Sequence, residues 1–257
     1  MKNGCKLPSR WVLYHWGELR VKMNHWLSLV LQATFDGPTN IEGVDNEQAV
    51  CYEEAVVMRH NEGGMSRQRR METYDEIRCK VRMFCNVSLN INEADKIGMT
   101  LLLRTGPRSF KNDTTVIDIF KSECDKVKLM SLTDILVSPH GAQLTNMFLM
   151  NRNSSVMEFF PKGWLKLAGV GQFVLKWLAD WSGMKHQGSY RDPNGDICPY
   201  PKDDRRCMSF FKNGQIGHND TYFRDWARIV LNEVQIRKKK QASNKSVSSK
   251  INMKCTC

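Results

Sequence analysis

The chain has 257 residues, of which 41% are hydrophobic and 25% are charged, so it can bury the core of one large domain or two small ones. This composition excludes a disordered or fibrous protein. The formal net charge of +11 suggests a polyanion partner, but seven of the basic side chains and no acidic one lie in residues 237–257. Such a terminus is typical of a solvated, disordered tail, so we expect no nucleic-acid partner; a basic nucleic-acid-binding module is the minor alternative.

The first 95 residues are predicted to be the remnant of an N-terminal domain. They contain a helical pattern from Leu19 to Ala33, a short apolar strand from Ala49 to Met58, and a charged helix from Ser66 to Val81 that Ser66 caps. The longest apolar run, Trp26 to Phe35, has about ten residues, and a bilayer needs roughly 20. No continuous apolar segment follows the basic start of the chain, so we expect neither a signal peptide nor a membrane anchor in this sequence.

A second group of elements begins near residue 96. Met99 to Leu103 predicts a buried strand that ends at Arg104, and a short loop leads from there to Arg108. The segment after this loop is predicted to be an amphipathic helix, because its apolar residues repeat at helical spacing on one face. That face consists of Val116, Ile117, Phe120 and Cys124.

The most informative pattern is a strand, a glycine turn, a helix and a second strand within residues 134–160. Ile135 to Val137 is an apolar strand, Gly141 supplies a turn with backbone angles closed to other residues, and Gln143 to Met150 has a helical pattern. A second apolar strand runs from Val156 to Phe160. The segment therefore predicts a right-handed βαβ crossover whose two strands are parallel.

The C-terminal part is predicted to be mainly helical. Leu167 to Trp181 indicates an amphipathic helix, Asp192 to Arg206 an irregular loop, and Thr221 to Ile236 a final helix. Cys198 and Cys207 bracket part of this loop at a spacing that a disulfide can close. The chain has nine cysteines, more than a cytosolic enzyme usually keeps, and none of their spacings is typical of a zinc site, so we expect no metal.

Three motifs in order resemble those of glycosyltransferase family 61, which includes plant xylosyltransferases and protein N-acetylglucosaminyltransferases of the secretory pathway. The resemblance is specific from about Leu101 to Pro161. The motifs are Leu103-Arg104-Thr-Gly-Pro-Arg108, Ser-Pro-His140-Gly141-Ala142-Gln143-Leu-Thr-Asn146, and Asn-Arg-Asn-Ser-Ser-Val-Met-Glu158-Phe-Phe-Pro-Lys-Gly-Trp164.

The resemblance implies an α/β fold of the GT-B-like type, with a Rossmann-type parallel sheet in the C-terminal half and an incomplete N-terminal domain. It divides the chain into an N-terminal remnant (1–95), a nucleotide-sugar-binding domain (96–236) and a basic tail (237–257). Relatives insert a further strand and helix after the helix that ends near residue 127, so we expect a truncated chain and an incomplete sheet there. Family members act in the Golgi or the lumen of the endoplasmic reticulum, and the same location is expected here.

Transfer from a nucleotide sugar requires stabilisation of the departing diphosphate. The chain has no convincing Asp-x-Asp motif, and the aspartates from Asp192 to Asp204 are more typical of turns than of metal ligands. Guanidinium groups match phosphate oxygens bidentately, so Arg104 and Arg108 are assigned to the diphosphate. The alternative is that both arginines are solvated loop residues.

The other site residues follow the second and third motifs. His140, at a helix start, is expected to be a neutral imidazole that donates to a phosphate or sugar hydroxyl, or else a structural residue. Glu158 is expected to bind the ribose hydroxyls, or else to pair with Lys162. Asn146 orients the sugar or caps backbone. The complete predicted donor-binding set is Arg104, Arg108, His140, Gly141, Ala142, Gln143, Asn146 and Glu158.

The resemblance thus implies an inverting, metal-independent glycosyltransferase that moves a sugar from a UDP-sugar to a glycoprotein or polysaccharide acceptor. No cofactor beyond this donor is expected. The sequence does not identify the catalytic base, for which Glu53 and Glu54 are weak candidates. The alternative is a truncated, non-catalytic relative that binds UDP weakly or associates with a full-length enzyme.

Overall fold

The computed structural model describes residues 10–13, 25–35, 37, 40–43, 51–55, 64–85, 97–123, 133–164, 169–201 and 204–245. The chain separates into two compact units, one of residues 1–88 with 253–257 and one of residues 89–252. No helix in the described ranges is long and apolar enough to cross a membrane.

The first unit contains a pair of short parallel strands. β1 (Arg10–Leu13) pairs with β2 (Asn40–Gly43), and α1 (His25–Thr34) lies between them in the chain. The predicted strand from Ala49 to Met58 is wrong for residues 51–55, which are irregular and exposed; the rest of that segment lies outside the described residues. Its two adjacent glutamates make an exposed strand unfavourable, because no partner strand offsets their solvation.

The second helix of this unit begins where the sequence places it. α2 (Arg67–Phe84) follows Ser66, whose hydroxyl accepts a hydrogen bond from the N–H of Arg69 at 3.2 Å. The buried Lys80 donates to the backbone carbonyl of Thr34, at the end of α1, with a separation of 2.8 Å. This bond satisfies a helix-terminal carbonyl and ties α1 to α2.

The second unit is built on four parallel strands in sequential order. All residues of the two central strands are buried, as expected when helices cover both faces of a parallel sheet. The predicted α/β class and the parallel pairing of the two apolar strands are confirmed. The strands are β3 (Met99–Leu101), β4 (Ile135–Pro139), β5 (Ser155–Phe160) and β6 (Lys185–Arg191).

The sheet is continuous at the place where an incomplete sheet was expected. β3 pairs directly with β4, with Met99 opposite Ile135 and Leu101 opposite Val137. The backbone groups between these strands are therefore satisfied without an inserted strand. The chain between them, residues 124–132, lies outside the described residues.

Helices cover the two faces of the sheet and bury separate apolar clusters. On one face, α3 (Asp113–Glu123) and the long C-terminal helix pack around the ring of Phe159. Val116 and Phe120 of α3 are buried as predicted, and Ile119 joins them. On the other face, a 3₁₀ helix (Ala142–Leu149) and α4 (Val174–Trp181) cover the smaller cluster.

Three helix predictions need correction. The helix after Gly141 is a 3₁₀ helix and not an α-helix, and the segment predicted as one helix from Leu167 is a short 3₁₀ helix (Gly169–Phe173) before α4 begins. A further helix, α5 (Arg205–Asn213), was not predicted from the sequence; Asp204 caps it by accepting from the N–H of Arg206 at 2.8 Å.

The final helix extends into the predicted disordered tail. α6 (Asp220–Lys245) continues beyond Ile236, so residues 237–245 are helical. Arg237 donates to the hydroxyl of Ser155 at 2.7 Å, and Lys238 pairs with Asp134 at 2.7 Å. These contacts fix the basic helix to the amino-terminal end of the central strands, so part of the positive charge has a structural role.

Candidate functional site

The site predicted from the sequence lies at the carboxyl end of β4. The N–H of His140 donates to the carbonyl of Phe159 at 2.8 Å, which extends the β4–β5 pairing by one residue. Gly141 and the 3₁₀ helix follow at once. The leading N–H groups of such a helix have no acceptor within the helix and can face a ligand. Parallel sheets commonly bind ligands at this edge.

Gly141 lies directly against the two arginines of the preceding loop. A methyl group placed on Gly141 would be 2.3 Å from Nη1 of Arg104 and 3.6 Å from Nη1 of Arg108. The backbone of Gly141 (φ 158°, ψ 173°) has a conformation that residues with a side chain rarely adopt, as predicted from the sequence. The close approach of a guanidinium is a second reason for a residue without a side chain here. The structure therefore brings both arginines to the His140–Gly141 turn.

Among the described residues, neither of the two guanidinium groups, of Arg104 and Arg108, has a carboxylate within ion-pairing distance. Burial, followed by the nearby charge of Arg104, lowers the pKa of Arg108. Two cations held together in this way favour an anion between them, because its charge removes their mutual repulsion.

Arg108 is held in place by its backbone and by an aromatic ring. Its φ of 63° is unusual for a non-glycine residue, and its N–H donates to the carbonyl of Gly214 at 3.1 Å. The guanidinium carbon lies 6.0 Å from the ring centre of the buried Trp164. Lys212 approaches the same ring, also at 6.0 Å. Trp164 was not part of the predicted binding set, although it ends the third motif.

Glu158 bridges two buried histidines. Its Oε1 lies 2.5 Å from Nδ1 of His140, and its Oε2 lies 2.8 Å from Nε2 of His186. The residue is 0% exposed. The predicted contact with ribose and the alternative ion pair with Lys162 are therefore both wrong, since each requires an accessible carboxylate. Burial by itself raises the pKa of Glu158, but hydrogen bonds from the two histidines outweigh it and hold the pKa below its ordinary value.

A bulge in β6 brings His186 to this carboxylate. Val156 pairs with His186 and Glu158 pairs with Ser189, so the register shifts between them. Gly188 within the bulge has a φ of 102°, and its N–H donates to Nδ1 of His186 at 3.2 Å. His186 was not among the predicted site residues, because the sequence pattern of β6 did not predict a strand.

The remaining predicted residues, Ala142, Gln143 and Asn146, differ in their exposure and in their hydrogen bonds. The side-chain amide of Gln143 donates to the hydroxyl of Ser138 at 2.9 Å, so it braces the turn. Ala142 is exposed, and Asn146 is half-buried. Of this group, the backbone of Ala142 is best placed to face a ligand beside Gly141.

A cavity of about 590 Å³ lies close to this turn but is not lined by any predicted site residue. Gly214 lines it, and the carbonyl of that residue accepts from Arg108. Lys111, Lys162 and Arg206 supply positive charge to the cavity, and Phe210 is among its aromatic residues. Arg104 and Arg108 therefore do not line this cavity.

Two further sequence predictions concern residues away from the turn. Cys198 and Cys207 form the predicted disulfide. Asp192 acts as a turn residue, since its Oδ1 accepts from the N–H of Asn194 at 2.9 Å and its Oδ2 from the N–H of Gly217 at 2.6 Å. Glu53, a weak candidate for the base together with its neighbour, is exposed in the first unit.

Fold and site define a mixed α/β protein that gathers two arginines at the carboxyl end of a four-stranded parallel sheet. Comparison with protein-family models and with curated proteins finds no match to the chain.

Replacing Gly141 with alanine is expected to destabilise the fold by about 1–3 kcal/mol, because residues with a side chain rarely adopt its φ of 158°. The substitution is also expected to weaken anion binding about 10- to 100-fold, since the new methyl group takes the place of Nη1 of Arg104. Calorimetric titration with inorganic pyrophosphate measures this change. Gly171→Ala is the matched control, because nothing lies within 4 Å of its added methyl group. Equal affinities of both variants would contradict the arrangement.

Proposed function

We propose that this chain is an inverting, metal-independent glycosyltransferase of the family 61 type with a GT-B-like donor site. It moves a sugar, N-acetylglucosamine or xylose, from a UDP-sugar to a glycoprotein or polysaccharide acceptor in the Golgi or endoplasmic reticulum. The observation that carries this proposal is the convergence of Arg104 and Arg108 on Gly141, without a carboxylate to pair them among the described contacts.

The chemistry of the arginine pair fits a leaving diphosphate. Negative charge builds on this group as the bond to the sugar breaks, and cations already in position stabilise it without reorganisation. A diphosphate supplies oxygens on both phosphorus atoms, so each guanidinium can bind one phosphate with two parallel hydrogen bonds. The close approach of Arg104 to the backbone of Gly141 supports a binding mode in which the phosphates lie near the leading N–H groups of the 3₁₀ helix.

The position of the pair supports the same substrate class. Both arginines follow β3 and the glycine follows β4, so the contacts come from the carboxyl ends of adjacent parallel strands. Nucleotides bind at this edge in open α/β sheets. The buried Glu158 no longer serves as the ribose ligand in this proposal. Its place in the mechanism is to hold His140, the residue that precedes Gly141.

The test is a calorimetric titration of the purified full chain with UDP. We expect binding that Arg104→Ala weakens about 10- to 100-fold, because a charge-assisted hydrogen-bond pair to phosphate is lost. Arg69→Ala is the matched control, since this arginine is 53% exposed and pairs with Glu72 one turn further along α2. Absence of UDP binding to the wild-type chain, or equal binding by both variants, would remove the basis of the proposal.

A non-catalytic relative that binds UDP without turning over a UDP-sugar is the second candidate. This candidate is favoured by the burial of Glu158, which contacts His140. Among the described contacts, no other carboxylate approaches His140, Arg104 or Arg108, so none is exposed there to act as a base. Release of UDP from UDP-N-acetylglucosamine or UDP-xylose, followed over time, separates the two candidates. Turnover that Arg104→Ala removes supports the enzyme, whereas arginine-dependent binding without turnover supports the non-catalytic relative.

A further inference from the structure

We propose that Nε2 of His140 is the general base that accepts the proton of the attacking hydroxyl, with Glu158 and His186 as its positioning residues. This inference rests on the proposed glycosyl transfer and supplies the base that the sequence does not identify. It is carried by the hydrogen-bond chain that links β4, β5 and β6 beneath the arginine pair.

The hydrogen bonds determine which nitrogen of each ring carries the proton. Nδ1 of His186 accepts from the N–H of Gly188 at 3.2 Å, so the proton of this ring is on Nε2 and is donated to Glu158. The other carboxylate oxygen then accepts from Nδ1–H of His140 at 2.5 Å. In the neutral ring this leaves the lone pair on Nε2. In this proposal His140 is therefore an acceptor at Nε2, in place of the donor role predicted from the sequence for a neutral imidazole.

The surroundings hold the ring in one orientation. The His140 ring stacks on Phe160, with the ring centres 4.5 Å apart, and lies 6.0 Å from the ring centre of Trp164. The ring is 8% exposed, so it has little freedom to turn. The next residue is Gly141, against which the guanidinium of Arg104 lies. Nε2 thus belongs to the residue that adjoins the proposed diphosphate site.

The proposed step balances in protons and electrons. The acceptor oxygen forms a bond to the anomeric carbon of the sugar while the bond from that carbon to the diphosphate oxygen breaks. The electron pair of the broken bond leaves with UDP, and the hydroxyl proton moves to Nε2 of His140. The resulting imidazolium is stabilised by the ionised Glu158, in the way that a carboxylate orients and supports a histidine base in acyl-transfer enzymes.

The experiment measures UDP release from UDP-N-acetylglucosamine and from UDP-xylose by the full chain, with water as the acceptor. We expect His140→Ala to lower turnover about 100-fold or more while UDP affinity changes less than about threefold. Added imidazole should restore part of the turnover, and more basic imidazoles should restore more of it. His140→Asn keeps an N–H that can donate to Glu158 but lacks the second nitrogen, so it should fold like the wild type and stay inactive. His218→Ala, at a histidine near Asp220, should behave like the wild type.

The outcomes separate this inference from the proposed function. Wild-type turnover by His140→Ala or His140→Asn would show that His140 is not the base. A loss of turnover that no imidazole restores would show the same. In both cases, UDP binding that depends on Arg104 would still support the proposed donor site. Arginine-dependent UDP binding without turnover by the wild-type chain overturns the base and supports the non-catalytic relative. A wild-type chain that does not bind UDP overturns both the proposed function and the base.

Discussion

Replacing Glu158 with alanine is expected to destabilise the second unit by about 3–5 kcal/mol, a large share of the total stability of a domain. The carboxylate is completely buried, and its two oxygens are the acceptors for His140 and His186. Its removal leaves two buried imidazole N–H groups without acceptors and opens a cavity between β4, β5 and β6. Urea unfolding followed by circular dichroism measures the loss as a lower midpoint.

Glu233→Ala is the matched control for this prediction. Glu233 also links a helix to β6, through Lys185 and Gln187, but it is 38% exposed in its side chain. Such a solvated pair contributes about 0–1 kcal/mol, so this variant should unfold near the wild-type midpoint. Equal midpoints for Glu158→Ala and Glu233→Ala would show that the buried bridge does not stabilise the sheet.

The contribution of Glu158 should also depend on pH in one direction. Hydrogen bonds from His140 and His186 hold the pKa of this carboxyl below its ordinary value of 4.5, despite burial. A group whose pKa is lower in the folded state stabilises the protein above its unfolded pKa and loses that effect as pH falls through the folded pKa. The stability difference between the wild type and Glu158→Gln should therefore be present above pH 4.5 and narrow below it. A difference that widens below pH 4.5 would contradict the assignment of an ionised carboxylate.

The central part of the fold could be predicted from the sequence because its signals are local. β4 and β5 are continuous apolar runs, which is what burial on both faces of a parallel sheet requires. Cys198 and Cys207 were also readable from spacing alone. β6 gave no such signal: only Tyr190 of its seven residues is buried, so it has neither an apolar run nor a clear alternation.

The site was predictable only in part, since some of its contacts depend on the register between strands. Arg104, Arg108 and Gly141 were assigned from motifs, and the structure brings them together. The contact between Glu158 and His186 depends on the bulge at Gly188. At this bulge, two residue steps along β5 correspond to three along β6. Such a shift cannot be inferred without knowing that the two strands pair. For this reason the sequence predicted that Glu158 faces a ligand, whereas in the fold it is buried and bonds two histidines.

Replacing Phe159 with alanine is expected to cost about 3–5 kcal/mol, the range for removal of a buried aromatic ring. Phe159 is 0% exposed, and its ring centre lies 5.0 Å from that of Phe223, 5.2 Å from that of Trp226 and 5.3 Å from that of Phe110. These rings come from α6 and from the loop before α3, so the side chain joins both covering elements to β5. Chemical denaturation measures the change as a lower unfolding midpoint.

Phe173→Ala is the control for this core substitution, because its ring is 40% exposed and its loss should cost less than about 1 kcal/mol. Successive residues of a strand point to opposite faces, so Phe159→Ala removes packing from one face of β5 and leaves the bridge of Glu158 on the other. The folded fraction of Phe159→Ala should therefore bind UDP with wild-type affinity at low temperature. If Phe159→Ala lowers both the stability and the UDP affinity of the folded protein, the two faces of β5 are not independent. The core around Phe159 would then help to hold Arg104 and Arg108 at Gly141.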